Sequence, residues 1–230
     1  MHLHRIRVVR DALDANETIA RENRADFDHA GVTVINLMSA PGAGKTTLLE
    51  RTLAELNAMS APPRVAVIEG DVQGSIDASR IAEYHVPVVQ INTDAGYGGE
   101  CHLDANMVRS ALSSLPLDDI DLLIIENVGN LVCPAEFRIG EDRRVMITAV
   151  TEGEDKPLKY PLMFRACDLV LINKIDLLPY LDVDVDVIRR NIESVHPGVP
   201  IMAMSTRSGA GLGPWCKWLV NVTRRTTVSA

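Results

Sequence analysis

The chain has 230 residues, a length that fits one large domain with a sizeable core. Its net charge of −8 excludes a general nucleic-acid binder, which needs a basic face. No apolar run reaches the roughly 18 residues of a membrane span, and Met1-His-Leu-His-Arg-Ile-Arg7 has no apolar signal region.

Residues 1–30 carry an approximate helical stripe (Ile6, Val9, Leu13, Ile19) with charges between, which predicts a helical hairpin or arm ahead of a main domain over 31–230. His2 and His4 are metal-capable, but a terminus is a poor place for an ordered site. Val32–Met38 reads as a buried strand and Ser39–Gly44 as a Gly-rich loop. A helix then opens at Lys45-Thr46-Thr47 and runs to about Met59. Further apolar strands are expected at 64–71, 87–92, 121–126, 144–150, 168–173 and 200–205. Helices are expected at 103–115, 183–195 and 214–223. Apolar strands alternating with helices predict an α/β fold, a doubly wound and mostly parallel sheet.

Ser39-Ala-Pro-Gly-Ala-Gly-Lys-Thr46 has the phosphate-loop spacing, except that Ser39 replaces the first glycine and leaves the turn at the loop entrance open to question. The chemistry asks for these residue types. Amides of Gly42, Ala43, Gly44, Lys45, Thr46 and Thr47 form a nest for phosphate oxygens, and the helix start adds its positive dipole end. Lys45 supplies a point charge to the β/γ-phosphates, and the Thr46 hydroxyl is a hard oxygen for Mg²⁺.

Asn173-Lys174-Ile-Asp176 follows a strand about 130 residues later and matches a guanine signature. A carboxylate at Asp176 accepts both the N1–H and the N2 amine of guanine, a donor pair adenine lacks. Asn173 would support the loop and touch the base edge, and the Lys174 stem would cover the ring. Ser205 and Thr206 sit where a last guanine-contacting loop belongs, a weak signal. Asp71 and Glu126 each end a strand at the edge where such sheets bind ligands, which makes them candidates for Mg²⁺ or for orienting the attacking water. Gly129, three residues after Glu126, could donate its N–H to a γ-phosphate. No internal Arg or Gln stands out as a finger or water-positioner.

Cys101-His102 and Cys133 form a second constellation. Thiolate and imidazole suit Zn²⁺ or Ni²⁺, but three ligands fall one short of a closed tetrahedral set. Adjacent residues on a helix would face apart, so a loop at Gly98-Gly99 or a two-fold interface would have to bring the ligands together. Cys133 follows Glu126 by seven residues, a reach of at most ~25 Å, so a segment answering to the γ-phosphate can pull on the thiol. Cys167 and Cys216 read as core, and the scattered thiols as reduced in a cytoplasm.

These motifs together resemble the HypB family of GTPases, accessory proteins for nickel insertion into [NiFe]-hydrogenase. The resemblance is carried by Ala40–Thr47, Glu69-Gly-Asp71, Gly99–Asp104, Glu126–Pro134, Thr151–Pro161 and Asn173–Asp176, and covers about residues 30–210. It implies slow GTP hydrolysis to GDP by a homodimer formed in the GTP state. It also implies an interfacial metal site of Cys101, His102 and Cys133, with Lys156 or Lys159 reaching the partner chain's nucleotide. The expected partners are the nickel chaperone HypA and a hydrogenase large subunit. The N-terminal Cys-x-x-Cys-Gly-Cys and the His-rich tract of some family members have no counterpart here, so nickel storage is not expected. The alternatives are a nickel-insertion GTPase for another enzyme such as urease, which would show Cys-Pro-His in place of Cys101-His102, a P-loop metabolite kinase, and a metal-storage module.

Overall fold

The computed structural model describes residues 3–94 and 99–227. Seven strands form one sheet: β1 (Thr33–Ser39), β2 (Val65–Asp71), β3 (Val88–Asn92), β4 (Leu122–Glu126), β5 (Arg143–Ala149), β6 (Leu169–Asn173) and β7 (Ile201–Ala203). Their order is β3-β2-β4-β1-β5-β6-β7, and every pairing is parallel. The helices are α1 (Leu3–Ala30), α2 (Lys45–Asn57), α3 (Ile76–Ala82), α4 (Ala105–Leu112), α5 (Cys133–Glu136), α6 (Lys156–Lys159), α7 (Pro161–Arg165), α8 (Val185–Val195) and α9 (Leu212–Thr227).

The central strands are apolar along their whole length because both faces are covered. Side chains alternate between the faces. Ile35 and Leu37 of β1, Val67 of β2 and Ile124 of β4 meet Leu48, Leu49 and Leu53 of α2 and Trp215 of α9. The intervening Val34, Ala66, Ile68, Leu123 and Ile125 meet Phe27 of α1 and Val108 of α4. Met38, Met146, Val170 and Ile172 pack with Met163 and Phe164 of α7 and Ile188 of α8. This alternation decides the site, since the strand-end residues inherit the face of their strand.

Leu3–Ala30 form one long helix where a hairpin or arm was expected. The apolar stripe has helical period throughout, and no Gly or Pro interrupts residues 3–30. Helix α4 begins at Ala105, two residues later than expected, because the Asp104 carboxylate caps it by accepting from Met107 N–H at 2.7 Å. Cys101 and His102 therefore lie before the helix, which removes the facing problem that adjacent helical residues would have. His2, the side chain of His4 and residues 95–98, including Gly98, lie outside the described part of the chain. Among the described residues no helix is long and apolar enough to cross a membrane.

Candidate functional site

The C-terminal ends of β1, β2, β4 and β6 open onto a cleft of about 490 Å³, lined by the loop after β1 and the ends of β2 and β4. Gly42 and Gly44 have φ of 74° and 103°, so both amides turn in the left-handed sense that only glycine adopts at low cost. A Cβ on Gly44 would also stand 2.7 Å from Asn173 Nδ2. Gly129 lies so close that a Cβ there would be 2.9 Å from Pro41 Cα, which seats the 126–129 segment directly on the phosphate loop. Ser39, the mismatch in the motif, is the last residue of β1 and is buried; its hydroxyl accepts from Lys45 Nζ at 2.9 Å. The serine therefore holds the lysine head at the loop entrance. Burial pulls the Lys45 pKa down, opposed by the charges of Glu126 and Glu69.

Period-two alternation puts Glu69 and Glu126 on the face that carries α2. Parallel register makes them direct neighbours, Glu69 opposite Glu126. Thr46 Oγ1 donates to Glu126 Oε1 at 2.9 Å. The second oxygens, Glu69 Oε2 and Glu126 Oε2, are buried without a partner. Burial disfavours the charged form of both carboxyls, and a nearby like charge adds to that cost. Burial pushes Glu69 up to about 8, and the charges of Glu126 and Asp71 add to it. Burial likewise pushes Glu126 up to about 7, against the pull of Lys45 and the Thr46 hydroxyl. The hard-oxygen set of Thr46, Asp71 and Glu126, with Glu69 behind it, fits a divalent cation such as Mg²⁺. Asp71 lines the same cleft and accepts from Val72 N–H at 2.7 Å; Ser75, not Asp71, stands at the N-cap position of helix α3, and its side chain makes no capping bond.

A pH dependence follows. Folded-state values raised above that of an ordinary Glu favour the protonated form. Their stabilising contribution is complete below the unfolded value and is lost as pH rises through about 7 and 8. Glu69→Gln removes one of these titrations and keeps the shape. In protein free of nucleotide and metal it is expected to raise Tm near pH 8 by ~2–4 °C or more, the effect of about 1 kcal/mol in a chain of this size, and to change it little near pH 5. Thermal unfolding at the two pH values checks this; an equal shift at both would contradict it.

The guanine-signature residues converge on the cleft. Asn173 Nδ2 donates to Ala43 O at 2.9 Å, and Asn173 Oδ1 accepts from Thr206 N–H at 3.1 Å. Lys174 adopts φ of 64° and donates from Nζ to Gly42 O at 2.6 Å. The Ser205 hydroxyl donates to Asp176 Oδ1. The loops after β1, β6 and β7 are thus clasped together by the residues that the base would use.

Sequence reasoning missed three charged cleft residues, Glu69, Asp77 and Arg80. Glu69 was passed over as strand interior, though Glu69-Gly-Asp71 held the signal. Asp77 and Arg80, on the short α3, also line the cleft. Arg80 bridges Glu50 at 2.5 Å and Asp77 at 3.0 Å, so an arginine does stand at the rim, where none was expected. Only the placement of α3 reveals it.

The second constellation also assembles. One ligand atom each from Cys101, His102 and Cys133 lies within 4.8 Å of the others. The two Sγ atoms are 3.1 Å apart. His102 is 7% exposed, lies against Phe137 with the rings tilted by 39° and centroids 4.2 Å apart, and has neither ring nitrogen hydrogen-bonded, although Nε2 lies 3.8 Å from Glu100 Oε2. Burial lowers its pKa, which keeps a ligating imidazole neutral. An imidazole with two orphaned nitrogens beside two thiols fits a soft, nitrogen-accepting metal such as Ni²⁺ or Zn²⁺. Cys167 and Cys216 are buried in the core, as expected.

One residue touches both sites. Glu126 points toward α2, so Asn127 turns to the opposite face. There Asn127 Oδ1 accepts from Leu103 N–H at 3.0 Å, next to His102, and its amide donates to Asn36 Oδ1 at 3.3 Å.

This fold and cleft define a P-loop nucleotide-binding protein. The model of the CobW/HypB/UreG nucleotide-binding domain matches residues 33–203. The hydrogenase maturation factor HypB of Azotobacter vinelandii is 52% identical over 93% of this chain and 68% of its own length. The crystal structure of HypB from Helicobacter pylori in complex with nickel has a TM-score of 0.84 at 35% identity, covering 92% of this chain and 96% of that one. The HypB structure from Archaeoglobus fulgidus has a TM-score of 0.83 at 35% identity over 91% of this chain and 99% of that one. The chain belongs to the CobW/HypB/UreG family, within its HypB group.

Proposed function

We propose that this chain is a GTP-hydrolysing metallochaperone that promotes nickel insertion into [NiFe]-hydrogenase, with metal affinity tied to nucleotide state and to GTP-dependent dimerisation. The observation that carries the reading is Asn127. Its neighbour Glu126 faces the phosphate cleft while Asn127 holds the backbone beside His102, so a shift at the end of β4 moves both sites.

In this reading Gly42, Ala43, Gly44, Lys45, Thr46 and Thr47 cradle the phosphates, and Gly129 donates its N–H to the γ-phosphate. Asp176 accepts from guanine, Asn173 and Lys174 order the base loop, and Ser205 and Thr206 close it. Lys45 and the loop amides stabilise charge developing on the γ-phosphate as water attacks. Asp71 orients that water. Thr46, Asp71 and Glu126 would hold Mg²⁺, which neutralises charge on the β- and γ-oxygens when bound. Cys101, His102 and Cys133 hold nickel as cargo. Three ligands leave a position open for hand-over, the arrangement of a site that must release what it binds. The partners in this reading are a second copy of the chain, the nickel chaperone HypA and a hydrogenase large subunit. The name of the Azotobacter relative and the nickel in the Helicobacter structure support it.

The test is Ni²⁺ affinity measured with GDP and with a non-hydrolysable GTP analogue. A several-fold difference is expected, and equal affinities would remove the coupling. Asn127→Ala should bring the two affinities together while GTP hydrolysis persists. An Asn127→Ala protein that keeps the wild-type difference would show that the link runs elsewhere.

A further inference from the structure

Helix α1 carries two asparagines seven residues apart, Asn16 and Asn23. Two turns of helix place them on one face, about 10 Å apart along the axis. Both are buried, at 9% and 0% exposure. Each makes the same pair of connections. Asn16 Oδ1 accepts from Ala105 N–H at 2.8 Å, and its amide donates to Arg138 O at 2.8 Å. The Asn23 amide donates to Ala105 O at 2.8 Å and to Ile139 O at 3.1 Å. Ala105 comes three residues after His102; Arg138 and Ile139 come five and six after Cys133. The two side chains therefore span the gap between the two arms that carry the metal ligands.

The close approach is built into the backbone. Gly140 has φ of 99°, and a Cβ there would stand 2.8 Å from Asn23 Cβ and 3.0 Å from Ala20 O. Any larger residue would push the Cys133 arm off the helix. Apolar packing would attach α1 without specifying a distance, as Phe27 already does lower on the same helix. Four hydrogen bonds from two buried amides specify one, because a displaced arm leaves a buried backbone group unpaired.

We propose that α1 is part of the metal site: Asn16 and Asn23 are positioning residues that set the spacing between the Cys101-His102 arm and the Cys133 arm, and so the affinity for nickel. The proposal rests on reading those three side chains as a nickel site. It adds that the helix ahead of the nucleotide-binding domain governs the geometry of the ligands without touching the metal.

The experiment compares Asn16→Ala, Asn23→Ala and Phe27→Leu with the wild type in the full chain. The readouts are Ni²⁺ affinity by competition with a chromophoric chelator, the thiolate-to-nickel charge-transfer band, GDP affinity and Tm. Loss of direct outer partners of metal ligands costs about 10- to 100-fold in affinity; Asn16 and Asn23 bond the arms three to six residues from the ligands, so a loss of about 10-fold is expected for both asparagine variants, with an altered band and unchanged GDP affinity. Phe27→Leu is expected to lower Tm with nickel affinity intact, since it loosens α1 without cutting a connection to either arm. Should Asn23→Ala fail to fold, Asn16→Ala decides alone. A folded Asn16→Ala protein with wild-type affinity and band would overturn the proposal, as would an equal nickel loss in Phe27→Leu. Wild-type protein that takes up no Ni²⁺ would overturn the site itself, and the proposal with it.

Discussion

Asp176→Asn is expected to lower GTP affinity by about 100-fold or more and to raise XTP affinity in its place. In the proposed pocket the carboxylate at 176 accepts from two adjacent guanine donors, and a hydrogen bond to a charged group contributes about 1.5–3 kcal/mol, so losing the pair reaches that range. An amide there presents one acceptor and one donor. The donor meets the N2 amine of guanine head-on but matches the carbonyl that xanthine carries at that position. The substitution is conservative in every other respect. Asp176 Oδ1 accepts from the Ser205 hydroxyl, and an asparagine oxygen can do the same, so the clasp between the loops after β6 and β7 survives. Titrating wild type and variant with GTP, XTP and ATP checks this. An unchanged order of preference, or preference for ATP in the wild type, would end the assignment of a guanine pocket.

The second large effect is expected at Cys133. Cys133→Ser should reduce Ni²⁺ affinity by more than the about 10- to 100-fold that outer partners of a metal ligand cost, because a ligand itself is lost. The hydroxyl is nearly isosteric but hard, and it does not ionise where a thiol does. Contact with Cys101 raises the Cys133 pKa, and burial adds to it, so metal uptake must expel a proton and should weaken as pH falls. GTP affinity should stay at the wild-type level, since Cys133 does not line the nucleotide cleft. Cys167→Ala serves as the control: that thiol is buried in the core, pushed far up by burial, and should alter stability but not nickel stoichiometry. Equal nickel affinities in wild type and Cys133→Ser would mean that the three-residue cluster is not where the metal goes.

Much of this molecule was readable from short segments. The strand, glycine loop and helix start at 33–47 depend on neighbours in the chain, so spacing alone placed Lys45 and Thr46. Asn173-Lys-Ile-Asp176 follows its strand directly and is local in the same sense. All seven strands were expected, with ends off by one or two residues, because continuous apolar runs mark a sheet covered on both faces. Ser39 left the loop entrance in question because its role, holding Lys45, needs the five intervening residues of the loop to turn back on themselves.

Alternation along a strand can be read from one segment, whereas register cannot. Nothing within 64–71 or 121–126 says that Glu69 will lie opposite Glu126, yet this register buries both carboxyls at the floor of one cleft, and burial raises both while the charge of Glu126 adds to the rise at Glu69. The same holds for Arg80, which reaches the cleft only because α3 packs beside β2. It holds most for Asn16 and Asn23, which look like ordinary polar residues in a charged helix until that helix lies across Ala105 and Ile139.

By itself the sequence determined the phosphate loop, the Asn173-Lys-Ile-Asp176 segment after its strand and the parallel α/β architecture, and it singled out Cys101, His102 and Cys133 as candidate ligands. The loop and the tetrapeptide are carried by residues close in the chain, where bond geometry leaves few alternatives. Tertiary structure alone decided that Glu69 and Glu126 lie side by side, that Asn127 bonds the backbone beside His102, and that Asn16 and Asn23 tie Ala105 to Arg138 and Ile139. Those outcomes depend on strand register and helix docking, which arise from packing between segments far apart in sequence, as between Asn16 and Arg138, 122 positions apart.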